Sequence, residues 1–216
     1  MVMTERLSLR ERKKIETARS IWRVALELFV EHGFDNVSVA QIAAASNVSK
    51  MTVFNYFGTK EDLVLGPMEE HLGELAAVVR ERERGESVVA AVRRHFRAAL
   101  ADFDPASGLN DQTGVLDVQR LVRQTPALAQ RAHDFHNRAQ ELLAAELVTE
   151  AGDSDPTTAR VVAALLVAAR RALVAENHRR LLAGESADQV LPDAITAADN
   201  AFELLERGLG DYGTRA

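Results

Sequence analysis

No cysteine occurs in the 216 residues, so disulfides, thiol nucleophiles and cysteine-ligated zinc are excluded; any metal would have to be held by the six histidines and the carboxylates. Also missing is any run approaching the roughly 20 uninterrupted apolar residues that a bilayer-spanning helix requires. Glu5 and several arginines stand among the first residues, where a secretory leader needs an apolar stretch, so a cytoplasmic location away from membranes is expected. Aromatic residues are scarce at 5%, and five prolines and twelve glycines punctuate a chain rich in alanine and leucine. No alternating apolar and polar stretch marks a strand, and the expectation is an all-α fold. The motifs of common enzyme classes are absent too: no G-x-S-x-G elbow, phosphate loop, H-E-x-x-H, glycine-rich dinucleotide turn or helical Glu-x-x-His. Catalysis, a cofactor and a resident metal are accordingly not expected.

What is present begins with an uneven charge. The formal net charge is −6, yet residues 1–60 hold nine Lys and Arg against six Asp and Glu, whereas the remainder holds seventeen against twenty-six. All four lysines, Lys13, Lys14, Lys50 and Lys60, fall in the first segment. A basic head on an acidic body suggests different partners for the two parts, and screening over about 8 Å keeps the body from cancelling a basic face at the far end. The alternative is that Arg10, Arg12, Lys13 and Lys14 are merely a solvated helix start.

Helix signals are dense. Ser8 with Glu11 forms a capping box, and Ile15, Ala18, Trp22, Ala25 and Phe29 then recur at spacings of three and four until Gly33. Ser38 with Gln41 opens a short helix, residues 39–45, and Ser49 caps another from Lys50 to Tyr56. Thr59 with Asp62 opens a fourth helix reaching Arg84, in which Gly66-Pro67 should produce a kink or restart because proline removes a helical hydrogen bond. Five more are expected at residues 87–103, 113–124, 126–151, 156–183 and 187–209, for about nine in all.

Residues 39–57 carry a helix–turn–helix steric pattern. Small Ala43 lies where two helices cross closely, Asn47 occupies a turn that needs a left-handed backbone, and Val53 anchors the second helix. Val48, the Ser49 cap and the run Thr52-Val53-Phe54-Asn55-Tyr56-Phe57 make the pattern far more specific, since they place polar and aromatic residues outward where a recognition helix enters a major groove. Val53 and Phe57 are expected in the core; for Phe54 a core position competes with an outward one.

These residues, Ile42-Ala43, Asn47-Val48-Ser49, Thr52 to Phe57 and Thr59-Lys60-Glu61-Asp62-Leu63, together with Ala25 to Phe29 and Gly33-Phe34, resemble the signature of TetR-family transcriptional regulators. The likeness is close through residue 65; beyond it only length and helix count agree. Asn47 departs from the usual glycine, and Phe54 and Tyr56 stand where tyrosine and histidine are common. The resemblance implies a DNA-binding domain over residues 1–60 and a helical ligand-binding and dimerisation domain over residues 61–216. It further implies that Lys50, Met51, Thr52, Phe54 and Asn55 face DNA, with Thr52, Tyr56, Lys60 and Ser38 holding phosphates. By chemistry, Lys50 can read guanine, Asn55 adenine, and Met51 or Phe54 a thymine methyl. Arg10, Arg12 and Lys13 either reach the duplex as a flexible arm or stay solvated.

In the body, Ile195, Ala198, Phe202, Leu205 and Leu209 form one long apolar stripe, and Val161, Leu165, Ala168, Ala172 and Ala175 a second. Intrachain core is the default reading of such stripes; the resemblance favours a homodimer packed through both. It also implies a small, largely apolar effector among the body helices, for which Phe96, Phe103, Leu121, His133, Phe135, His136 and Arg170 are candidates. His133 and His136 lack a third spaced metal ligand, and Arg170 can instead pair with Glu176 or Asp117. The expected function is a repressor released from a palindromic operator by that effector. The alternatives are a constitutive architectural DNA-binding protein and, more remotely, a helical-bundle enzyme.

Overall fold

The computed structural model describes residues 8–69, 71–151 and 156–209, and among them every regular element is helical. Three helices come first: α1 (Leu9–His32), α2 (Val39–Ala45) and α3 (Lys50–Tyr56). Then follow α4 (Asp62–Glu69), α5 (Glu74–Arg80), α6 (Val88–Ala101), a 3₁₀ turn (Pro105–Ser107), α7 (Thr113–Gln124), α8 (Pro126–Ala151), α9 (Pro156–Leu182) and α10 (Ala187–Leu209). None of these helices is long and apolar enough to cross a membrane.

The caps legible in the sequence form as hydrogen bonds. Both halves of the Ser8–Glu11 and Ser38–Gln41 boxes are closed, and the Ser49 hydroxyl accepts from the Thr52 N–H at 3.0 Å. The fourth helix departs from expectation. It runs through Pro67 and ends at Glu69; i,i+3 turns at His71 and Leu72 then lead into α5 as a separate helix. The carbonyl left without its donor by proline thus precedes a full break rather than a kink. Ile15 also departs from its expected inward place: it is exposed, and α1 becomes buried only from Ile21 onward.

Apolar side chains collect into two cores. The first joins Ile21, Ala25, Leu26 and Phe29 of α1 to Ile42, Ala43, Val53 and α4 residues Leu63, Val64 and Leu65. This core does not stop at residue 60, for Leu121 of α7 and Leu128, Ala132 and Phe135 of α8 complete it. The second is built from α5, α6, α8, α9 and α10, with the Phe96 and Phe202 rings 6.1 Å apart across α6 and α10. Helix α8 therefore supplies both cores, its first half one and Leu143, Ala144 and Leu147 the other.

The segment after α6 is closely fitted. Phe103 has φ +51, a left-handed conformation rare for a bulky residue, and its carbonyl accepts from the Asn110 side chain at 2.7 Å. Gly108, at φ +74, lies so near α9 that a Cβ would come within 2.6 Å of the Val174 carbonyl oxygen. Only glycine satisfies both the backbone angle and the approach.

Candidate nucleic-acid interface

The local sequence builds a helix–turn–helix unit. Ile42 and Ala43 are buried on α2, and the chain turns at Asn47, whose φ of +53 is the left-handed conformation the turn needs. The Val48 N–H donates to the Ala43 carbonyl at 2.9 Å, which closes the turn before Ser49 caps α3. Val53, 1% exposed, pins α3 to the core, and Phe57 packs half-buried beside it.

The opposite face of α3 is open. Lys50 and Asn55 are exposed, Met51 is 69% exposed and Phe54 39%, so the outward alternative for Phe54 is the one adopted. Four residues at spacings of one, three and one therefore share a face that holds a cation, an amide, a thioether and a ring. Ser38 is exposed at the start of α2, while Thr52 and Tyr56 are half-buried. The Thr52 hydroxyl is 2.7 Å from that of Ser49. Lys60 is half-buried, its ammonium 4.3 Å from the Phe34 ring centre and 5.7 Å from that of Phe29, a cation–π placement that restrains the side chain.

Electrostatics separate the two ends. Among the described residues no ion pair engages Arg10, Arg12, Lys13, Lys14, Arg19, Arg23, Lys50 or Lys60. In the body, by contrast, Arg82 is held by Glu150 at 2.6 Å, Arg93 and Arg97 share Asp199, Arg94 meets Glu86 at 2.9 Å, and Arg180 pairs with Glu185 and Asp193. Arg10, Arg12 and Lys13 belong to α1 itself rather than to a flexible arm.

The seven effector candidates do not share one cavity. Phe96 and Phe103 belong to the body core, Leu121 and Phe135 to the other, and His133 is exposed. The His136 Nδ1–H donates to the Ala132 carbonyl at 2.6 Å. Burial, aided by the charges of Arg171 and Arg170, lowers its pKa. Among the described residues no group of three potential ligands is placed to hold a metal ion. Arg170 pairs with neither Glu176 nor Asp117, which are taken by Arg179 and Arg120; it reaches Glu74 of α5 at 3.0 Å. Glu74 also lies 3.2 Å from His95 and 3.6 Å from His71. Burial alone would raise its pKa, but His95, Arg170 and His71 outweigh burial and hold it at about 2. A half-open groove of about 410 Å³ lies between α1 and α7, lined in part by Trp22, Leu26, Val30 and Gly114, and none of the seven candidates borders it.

The two expected dimer stripes fare differently. On α9, Val161, Leu165, Ala168 and Ala172 are exposed and aligned along one face. On α10, Ala198 and Phe202 are fully buried, and Ile195 and Leu205 pack half-buried against the same core. That stripe is therefore this chain's own interior, because the same three-four spacing serves either purpose. The Leu209 side chain lies outside the described residues.

Glu74, His95, His178 and Arg131 were not marked by the sequence. The groups that face them lie mostly far along the chain, so local spacing does not announce them. His178 is mostly buried, with Nε2 unpartnered, and burial together with the Arg123 charge lowers its pKa to about 4.

Residues 21–66 match the model of bacterial regulatory proteins of the tetR family. The chain is 33% identical over 143 residues to the HTH-type transcriptional regulator TcmR of Streptomyces glaucescens, covering 63% of either chain. It is 36% identical over 101 residues to an HTH-type transcriptional repressor of Mycobacterium tuberculosis, covering 45% of this chain and 53% of that one. The match thus spans less than two thirds of the length of these relatives. In fold it resembles a TetR-family regulator of Streptomyces coelicolor, with a TM-score of 0.52, 21% identity and coverage of 88% and 96% of the two chains. The helix–turn–helix unit and its capped α3 lie within residues 21–66, the segment that matches the tetR family of bacterial regulatory proteins.

Proposed function

We propose that this protein is a sequence-specific DNA-binding transcriptional regulator, a repressor that binds a palindromic operator as a homodimer and releases it on taking up a small, largely apolar effector. The observation that carries this reading is the open face of α3, where Lys50, Met51, Phe54 and Asn55 stand outward above buried Val53. A cation and an amide of this kind suit guanine and adenine edges, and the thioether and ring suit thymine methyls. Unpaired Lys60 and the basic residues of α1 supply the phosphate-directed charge. The relative named as a repressor supports the sign of regulation.

Dimerisation is assigned to the exposed α9 stripe of Val161, Leu165, Ala168 and Ala172, with two copies of α3 about 34 Å apart reading one face of the duplex. The effector is assigned to the body core beside Phe96, Phe103 and Arg170, three of the seven candidates that lie on α6, α9 and the segment between α6 and α7.

The test is selection of bound fragments from the source genome, then a compound screen for release. A single palindrome should be enriched, and log affinity should fall with log salt at a slope of roughly −5 to −9 for six to ten phosphate contacts per dimer. No enriched sequence, or a slope near zero, would overturn the DNA-binding reading. An enriched palindrome with no releasing compound would leave a constitutive binder.

A further inference from the structure

Helix α4 begins with a reciprocal cap. The Thr59 N–H donates to Asp62 Oδ2 at 2.9 Å, and the Asp62 N–H donates to Thr59 Oγ1 at 3.2 Å. This closed turn holds Lys60 and follows Phe57, whose own N–H ends α3 on the Val53 carbonyl at 2.9 Å. It is also tight: a Cβ on Gly58 would stand 3.3 Å from Asp62 Oδ2. One carboxylate thus closes the turn that leads from the end of α3 into α4.

That carboxylate has a second tie. Its other oxygen, Oδ1, accepts from the Arg131 guanidinium of α8 at 3.3 Å, across 69 residues of sequence. Arg131 also lies 3.7 Å from Glu69 at the far end of α4, and its guanidinium sits 5.1 Å from the ring centre of buried Phe135. Arg138, two turns further along α8, reaches the same Glu69 at 4.0 Å. Both ends of α4 are therefore held by cations on α8. Helix α8 continues unbroken for 26 residues, about 39 Å at 1.5 Å per residue, into the body core at Leu143, Ala144 and Leu147.

We propose that Arg131 is a positioning residue for DNA recognition: by holding the Asp62 carboxylate from α8, it fixes the turn that sets the angle of α3 and makes α8 the rigid member through which the body governs that angle. The inference rests on the DNA-binding reading. It assigns Arg131 no contact with DNA, and this separates it from a phosphate-binding cation.

The probe is a duplex recovered by the wild-type protein from a random-sequence pool, compared with a scrambled duplex of equal composition. Arg131→Met keeps an apolar stem over Phe135 and removes the charge. It should weaken binding to the selected duplex about tenfold, the scale of one charge-assisted hydrogen bond, and leave binding to the scrambled duplex and the salt slope unchanged. Asp62→Asn should lose a similar factor, and the double variant no more than either alone. Arg131→Lys should recover part of the loss. Should Arg131→Met fail to fold, Arg131→Lys alone decides, with about a threefold loss confined to the selected duplex. Equal loss on both duplexes with a shallower salt slope would make Arg131 a phosphate contact and overturn the proposal, as would unchanged affinity or additive losses in the double variant. If the wild-type protein enriches no duplex at all, it is the DNA-binding reading that fails, a result distinct from either of these.

Discussion

Adjacent residues on α3 take opposite roles because one helical step turns the side chain by about 100°. Val53 is sealed in the core while Phe54 faces water, and Asn55 beside it projects the same way. If Asn55 pairs with an adenine edge, Asn55→Ala should alter the preferred base at one position per half-site and cost about 1–3 kcal/mol there, read by repeating the selection with the variant. Lys60 belongs to a different class. Lodged against Phe34 with no acid partner among the described residues, it is proposed as a phosphate-directed charge, and Lys60→Ala should weaken all duplexes about equally and make the log–log salt slope shallower by roughly one for each phosphate it had neutralised. An unchanged slope would remove it from the interface. Gly108 is fixed by sterics alone. Gly108→Ala forces a Cβ into the Val174 carbonyl at a positive φ and should lower unfolding stability by about 2–3 kcal/mol, visible as a reduced denaturant midpoint with DNA specificity retained.

Elements differ in what their ends and faces must satisfy. Helix α9 carries Val162, Ala163, Leu166 and Val167 inward, exposes Val161 and Leu165, and also buries His178 near Arg123. The imidazole has its pKa lowered from 6.5 to about 4, so between those values the unfolded chain binds more protons than the folded one. Stability must therefore fall as pH drops from 6.5 toward 4, by at most about 3 kcal/mol from this group. His136 is shifted in the same direction and adds to the effect. Glu74 does not contribute in that window; held at about 2, its stabilisation is lost only as pH falls below the ordinary carboxylate range toward 2. Melting temperatures at pH 7, 6 and 5 should decline for the wild type and decline less for His178→Gln; parallel curves would exclude His178 as the cause.

At the scale of the whole molecule, two cores are joined by α8, and a third apolar surface is left outside both. Leu165 is 40% exposed on α9, so a charge there costs the single chain little but would place like charges together in the proposed two-fold interface. If the proposed dimer forms through this face, Leu165→Glu should convert it into a monomer by light scattering, keep the melting temperature of the chain at low concentration, and abolish tight binding to a two-half-site duplex while sparing weak binding to one half-site. A dimer that survives this substitution would move the interface elsewhere.

The sequence by itself determined the local structure, because caps, turns and periodicity act within a few residues. Ser8 with Glu11, Ser38 with Gln41, Ser49 and the left-handed Asn47 all form as their spacing requires, and the open face of α3 follows from Val53 alone. Tertiary structure decided what depends on distant partners. Whether the Ile195–Leu205 stripe faced a second chain or the α6 side of its own core could not be told from its period. Arg170 chose Glu74 over Glu176, and Arg131 found Asp62 across 69 residues of chain. Hydrophobic spacing says that a face will be covered, and charge says that it will be paired; only packing selects the partner.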